Sequence, residues 1–104
     1  MATVEEIRQA LKGVKDPELG ISIVDLGLIY GIEEKDGLVN VTATLTYPGC
    51  PLGPQIMDEM KRAITGLEGV KRVDVEIVFD PPWTKEMMSE DGREELDLLR
   101  QSFI

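Results

Sequence analysis

The spacing of hydrophobic and polar residues in the first quarter of the chain predicts one helix followed by loops. A helix is expected over residues 4–12, because apolar residues recur there at helical spacing and Thr3 with Glu6 forms a capping box. A turn over residues 16–20 follows, since this stretch contains both a proline and a glycine. The next apolar stretch is too short to identify by period, and a single helical turn is predicted near residues 22–26.

The middle of the chain predicts a β-hairpin. Strands are expected over residues 28–35 and 38–46, on either side of Asp36-Gly37, a dipeptide typical of tight hairpin turns. The second strand alternates, so that one face is apolar and the other polar. Its predicted inward side chains are Val39, Val41, Ala43 and Leu45, and its predicted outward ones are Asn40, Thr42, Thr44 and Thr46.

The second half of the chain predicts a helix, a strand and a final helix. The helix is expected to start just after Cys50 and to end near Gly66, and a third strand to cover residues 73–79. The last helix is rich in glutamate, with Leu96, Leu99 and Phe103 inward. The order α-β-β-α-β-α predicts one two-layer α/β (α+β) domain over residues 1–104, with helices packed on a small mixed or antiparallel sheet.

Composition narrows the functional classes. The chain has 104 residues, 42% of them hydrophobic, and a formal net charge of −9. This charge disfavours nucleic acid as a partner, and no apolar run is long enough to span a bilayer. The first residues lack the basic and apolar regions of a signal peptide, so a cytoplasmic protein is expected.

The cysteine and histidine counts exclude several kinds of site. One cysteine cannot form an intrachain disulfide, and one cysteine without histidine cannot supply a standard four-ligand zinc site. Catalysis by an imidazole base is excluded as well. The candidate chemistry therefore centres on Cys50.

Cys50 lies in an unusual segment, between Pro48-Gly49 and Pro51. If a helix starts directly after it, the unpaired backbone N–H groups and the helix dipole would stabilise a thiolate, the form that binds metal or attacks an electrophile. The alternative is a small buried core residue, the commonest role of a free cysteine.

Four further residues are candidate companions of this thiol. Asp16, Glu18 and Asp25 lie in or beside apolar loops, where carboxylates could bind a hard cation or complete a mixed-ligand iron site. The alternative is that Asp16 caps a turn and Glu18 is solvated. Thr46 lies four residues before Cys50, so its hydroxyl is a candidate hydrogen-bond donor to the thiolate.

A third special segment, Asp80-Pro81-Pro82-Trp83, follows the last predicted strand. The two prolines stop that strand sharply. Trp83 is the only tryptophan, and a packing lid is a more frequent role for such a residue than ligand binding.

Taken together, these segments resemble the metal–sulfur cluster biosynthesis domain family, which includes SufT-like and PaaD-like iron–sulfur cluster assembly factors. The resemblance covers nearly the whole chain. The matching segments are Asp16-Pro17-Glu18, the run from Ser22 to Tyr30, the run from Thr44 to Pro51, and Asp80 to Trp83.

The resemblance implies a role in iron–sulfur cluster biogenesis, as an assembly factor, carrier or adaptor, through Cys50. It also implies that Asp16, Glu18, Leu19 and Thr46 line the same pocket as the thiol. The implied partners are iron–sulfur client proteins or a cluster scaffold. Since clusters usually take four protein ligands and this chain has one thiol, a homodimer or a hetero-complex is expected. Two expectations for the cofactor have equal weight. In one, Cys50 is a ligand of a transient cluster or iron ion, and in the other the resting chain has no cofactor.

Two other functions stay open at this point. One is an enzyme with a Cys50 nucleophile, although the absence of histidine removes the usual base. The other is a protein-interaction module in which the cysteine is structural. An enzymatic role is therefore left undecided, with a non-enzymatic one favoured.

Overall fold

The computed structural model describes residues 3–17, 19–46 and 53–102, and the side chains of this last range as far as residue 98. Three α-helices and three strands are present in this part of the chain. In order they are α1 (Val4–Lys12), β1 (Ile29–Lys35), β2 (Leu38–Ala43), α2 (Gly53–Thr65), β3 (Arg72–Ile77) and α3 (Glu90–Ser102). A short 3-10 helix, Lys85–Met87, precedes α3.

Helix α1 has the predicted bounds and the predicted cap. The Thr3 hydroxyl accepts a hydrogen bond from the Glu6 backbone N–H at 3.1 Å, which satisfies one of the unpaired donors of the first turn. Ile7 and Leu11 are buried on one face of the helix. The helical periodicity of the apolar residues therefore identified the inward face correctly.

The hairpin is confirmed in its turn and register. Asp36 and Gly37 both have positive φ angles, 52° and 86°, as a type I′ turn requires, and Lys35 pairs with Leu38. A β-bulge interrupts the other end of the ladder, because Ile29 pairs with Ala43 and Gly31 with Thr42.

Strand β2 is shorter than predicted, and the polar residue directly after its end, Thr44, is buried. Val39, Val41, Ala43 and Leu45 are buried as expected. Thr44 was predicted to face outward but is only 1% exposed. The reason is that the chain before β1 covers this end of the sheet, where the Thr44 N–H donates to the Leu28 carbonyl at 2.8 Å.

The sheet is mixed, with the order β1-β2-β3. Strands β1 and β2 are antiparallel, whereas β2 and β3 are parallel and are joined through α2. Helix α1 packs against α2 and β1, and α2 packs against β3. The prediction of a two-layer fold on a small mixed or antiparallel sheet is thereby confirmed, and the sheet is the mixed one of the two.

The buried apolar residues form one cluster between the sheet and helices α1 and α2. Its described members are Ile7, Leu11, Val14, Ile21, Ile23, Leu26, Leu28, Val39, Val41, Ala43, Leu45, Ile56, Met60, Ile64 and Met88. All of them except Met88 precede residue 65. The core is therefore built almost entirely by the chain from α1 to α2.

We call residues 78–102 the C-terminal arm. Within the part of the chain that the structure describes, its helix α3 approaches no other helix or strand closely. Leu96 is half-buried against the core cluster, as predicted. The predicted inward positions of Leu99 and Phe103 lie outside the described side chains.

Candidate functional site at the end of the central strand

The end of β2 is the point from which the chain leaves the sheet toward Cys50 and α2. Three backbone hydrogen bonds tie this end to the loops before β1: from Thr44 N–H to the Leu28 carbonyl at 2.8 Å, from Leu28 N–H to the Ile23 carbonyl at 3.0 Å, and from Ile23 N–H to the Val14 carbonyl at 3.0 Å. We call residues 14–17 and 19–28, which these bonds hold beside the strand end, the 14–28 wall. Thr46, the candidate donor, is half-buried just beyond that end.

Asp16 is buried in this wall, with 7% of its surface exposed. Its Oδ1 accepts a hydrogen bond from the Leu19 N–H at 3.2 Å. Its backbone carbonyl accepts from the Gly20 N–H at 2.7 Å, and its own N–H donates to the Ile21 carbonyl at 2.9 Å. The carboxylate thus stabilises the turn over residues 16–20 and holds the half-buried Leu19 against the core.

Asp25 is also buried, at 8% exposure, but its hydrogen bonds to Ser89 connect it to the C-terminal arm. Its Oδ1 accepts a hydrogen bond from the Ser89 hydroxyl at 2.9 Å, and its carbonyl accepts from the Ser89 N–H at 2.8 Å. The Ser89 hydroxyl also accepts from the Gly92 N–H at 3.0 Å, as the cap of α3. Asp25 therefore fixes the start of α3.

The segment Asp80 to Trp83 runs past the same end of the sheet. The Val78 N–H donates to the Ala43 carbonyl at 2.8 Å, which extends β3 along β2. The Tyr30 hydroxyl donates to the Pro81 carbonyl at 2.7 Å, and the Trp83 indole N–H donates to the Leu26 carbonyl at 2.6 Å. The Trp83 ring packs against the core cluster, in keeping with a packing lid, whereas Asp80 is exposed.

Helix α2 begins at this edge of the sheet. A side chain at Gly53 would bring its Cβ to 2.9 Å from Cδ1 of Leu45, so the helix start lies directly against the exit of β2. No acidic side chain occupies the first turn of α2. The positive end of this helix dipole is therefore not neutralised by a carboxylate of its own first turn.

Several predicted site residues lie outside the described residues: Cys50, Glu18, Pro48, Gly49 and Pro51. All of these except Glu18 lie in residues 47–52, the Cys50 connection, which joins the exit of β2 to the start of α2. Asp16, Leu19 and Thr46 belong to the two elements that flank this connection, whereas Asp25 bonds to the arm. Among the described residues, no three His, Cys, Asp or Glu side chains converge as metal ligands.

Reasoning from the sequence missed the roles of Tyr30 and Ser89. Their partners, Pro81 and Asp25, lie 51 and 64 residues away along the chain, so no local pattern indicated these bonds. A local signal did exist for Ser89, because a serine before a Glu- and Asp-rich helical stretch is typical of an N-cap.

The family of the chain follows from a comparison with family models. A model described as iron–sulfur cluster assembly protein matches residues 4–77. The chain belongs to this family. The match ends at the last residue of β3. It therefore contains residues 4–77, which we call the α1-to-β3 core, with both flanks of the Cys50 connection, but not the C-terminal arm.

Curated relatives extend the similarity. The Fe-S protein maturation auxiliary factor YitW of Bacillus subtilis is 52% identical over 89 residues, which cover 85% of this chain and 87% of YitW. The Fe-S protein maturation auxiliary factor SufT of Staphylococcus aureus is 51% identical over 77 residues, which cover 73% of this chain and 88% of SufT. The predicted SufT-like resemblance is therefore confirmed.

A solved structure supports the fold. A crystal structure of a domain of unknown function, DUF59, from Bacillus anthracis superposes with a TM-score of 0.85 at 36% identity. The alignment covers 89% of this chain and 90% of that one. None of the helices described for this chain is both long enough and apolar enough to cross a bilayer.

Proposed function

We propose that this protein is a maturation factor for iron–sulfur proteins and that it acts through Cys50. The observation that carries the proposal is family membership together with the maturation function named for two of its relatives, YitW and SufT. Cys50 is the only thiol of the chain, and thiolates are the usual protein ligands of iron–sulfur clusters.

The architecture around the Cys50 connection supports this role. The connection leaves the sheet beside the 14–28 wall and enters a helix whose first turn has no carboxylate. Positive helix ends favour thiolates. Asp16 and Leu19 are held in the flanking wall by the turn that the Asp16 carboxylate stabilises, so Asp16 acts in this proposal by shaping the wall.

A cluster in this proposal is cargo rather than a resident cofactor. One cysteine supplies one of about four ligands that a cluster takes. The described residues bring no three potential ligands together. The remaining ligands would come from a second copy of the chain, a scaffold or a client protein, so transfer would take place within a homodimer or a hetero-complex.

Complementation tests the proposal. In cells that lack the native maturation factor, this protein should restore the activity of an iron–sulfur dehydratase, and Cys50→Ser and Cys50→Ala should each lose most of that rescue. The physical reason is that neither hydroxyl nor methyl replaces a thiolate as an iron ligand. Glu94→Ala, a change on the exposed surface of α3, is the control and should keep full rescue.

Two measurements make the outcome decisive. Immunoblots and circular dichroism must show that the Cys50 variants accumulate and fold like the wild type. Full rescue by folded Cys50→Ala would contradict the role of the thiol, and absence of rescue by the wild type would contradict the maturation role itself.

A further inference from the structure

Hydrogen bonds attach the C-terminal arm to one short stretch of the core, residues 21–28, in addition to the bonds that Tyr30 and Ala43 form with the arm. Ser89 forms two hydrogen bonds with Asp25, one from its hydroxyl at 2.9 Å and one from its backbone N–H at 2.8 Å. The Trp83 indole N–H forms a third, to the Leu26 carbonyl at 2.6 Å. These bonds link positions up to 64 residues apart and hold the arm at two points.

Two glycines allow the arm and the 21–28 stretch to lie in direct backbone contact. A Cβ on Gly27 would lie 2.3 Å from the Met87 carbonyl oxygen, and a Cβ on Gly92 would lie 2.7 Å from the Asp25 carbonyl oxygen. Gly27 also has a φ of 80°, which a residue with a side chain rarely adopts. Both surfaces are therefore shaped for this contact.

Little apolar burial accompanies these bonds. Among the described residues, Met88 is the one buried hydrophobic residue that the arm adds to the core, with Trp83 and Leu96 partly buried beside it. Helix α3 approaches no other described helix or strand closely. Segments with few buried apolar contacts open at lower free energy than the core around them.

We propose that the C-terminal arm is a strap that opens as one unit while the core stays folded, and that its opening uncovers the 21–28 stretch. In the open state the Asp25 carbonyl and carboxylate lose their donors from Ser89, and the Leu26 carbonyl loses its donor from Trp83. Opening therefore presents a new surface beside the end of β2. This inference goes beyond the proposed function and does not depend on Cys50.

Native-state hydrogen exchange of the full chain tests the strap. The Ser89 amide, which bonds to the Asp25 carbonyl, should exchange at least about a hundredfold faster than the amides of Val39 and Val41 in β2. The Arg93 amide bonds to the Ser89 carbonyl within the arm, and it should exchange as fast, because a helix of 13 residues detached from the core is only marginally stable in water. Low concentrations of urea should accelerate the β2 amides and leave the arm amides almost unchanged, because opening of the arm exposes little surface.

Two variants separate opening of the arm from global unfolding. Asp25→Ala removes a contact that is absent from both the open and the unfolded states, so it should accelerate arm and β2 amides alike, by about tenfold. Ile64→Val weakens packing that persists when only the arm opens, since Ile64 is buried at the end of α2. It should accelerate the β2 amides about fivefold and leave the arm amides unchanged.

The proposal is overturned if wild-type arm and β2 amides show the same protection, or if Ile64→Val accelerates both groups equally. Either result would mean that arm and core open together. Because the wild-type measurement is decisive by itself, the test stands even if Asp25→Ala does not fold.

Discussion

The α1-to-β3 core, residues 4–77, and the C-terminal arm are stabilised by different kinds of contact. The core supplies almost all of the apolar cluster, whereas the arm contributes Met88 and is held by hydrogen bonds to the 21–28 stretch, Tyr30 and Ala43. Apolar burial scales with area and tolerates small shifts, whereas hydrogen bonds depend on exact positions. The comparison indicates that the core should tolerate small structural changes, whereas the attachment of the arm should be sensitive to the loss of individual hydrogen-bonding groups.

The largest expected effect is in the core. Leu11→Ala should lower the free energy of unfolding by about 3 kcal/mol, because the side chain is completely buried and its removal leaves a cavity. The matched change in the arm, Leu98→Ala, should cost less than about 0.5 kcal/mol, since Leu98 is 62% exposed. Urea denaturation followed by circular dichroism measures both values, and equal losses would contradict the division into core and arm.

A smaller effect is expected where the backbones of the arm and the 21–28 stretch touch. Gly27→Ala should lower stability by about 2–3 kcal/mol, from backbone strain and from the clash with the Met87 carbonyl. Gly20→Ala is the control: its φ of 70° carries similar strain, but no atom lies within 4 Å of the added Cβ, so about 1 kcal/mol is expected.

Fluorescence of the single tryptophan identifies the cause of that difference. In Gly27→Ala the emission of Trp83 should move toward that of a solvated indole while the far-ultraviolet circular dichroism of the core persists. An unchanged emission spectrum, with the same loss of stability as Gly20→Ala, would show that the clash with the Met87 carbonyl does not contribute to the loss of stability.

The smallest effects concern two single hydrogen bonds at the base of the arm. Trp83→Phe keeps an aromatic ring but removes the N–H that bonds to the Leu26 carbonyl, so about 1 kcal/mol of arm stability should be lost. Tyr30→Phe should cost about 0.5 kcal/mol, because the exposed Pro81 carbonyl can accept from water instead. Hydrogen exchange of the arm amides measures the loss of arm stability in both variants. A larger loss for Tyr30→Phe than for Trp83→Phe would contradict the prediction that the Trp83 bond contributes more.

Local patterns were sufficient for the core. Helical spacing identified α1 and its inward residues, and Asp36-Gly37 fixed the hairpin and its register, because each depends on residues close together in sequence. The parallel pairing of β2 with β3 was one of two options left open, since alternation reveals which face is buried but not the direction of the neighbouring strand.

Long-range contacts account for what the sequence did not reveal. Thr44 looks like an outward residue until the chain before β1 covers it. Asp25 is a plausible site acid in sequence, yet its partner Ser89 lies 64 residues away and directs it toward the arm. The predictions for Cys50, Glu18, Pro48, Gly49 and Pro51 remain predictions, because these residues lie outside the described chain.

The bulge in β1 has a consequence for the arm. Between Ile29 and Gly31 the strand carries one residue more than β2 opposite it, and that surplus residue is Tyr30, whose hydroxyl bonds to the Pro81 carbonyl. A regular ladder would lack this extra residue, and with it the hydrogen bond to Pro81. The β-bulge and the attachment of the C-terminal arm to Pro81 therefore depend on the same residue. Deleting Tyr30 would make the ladder regular and would also remove this hydrogen bond to the arm.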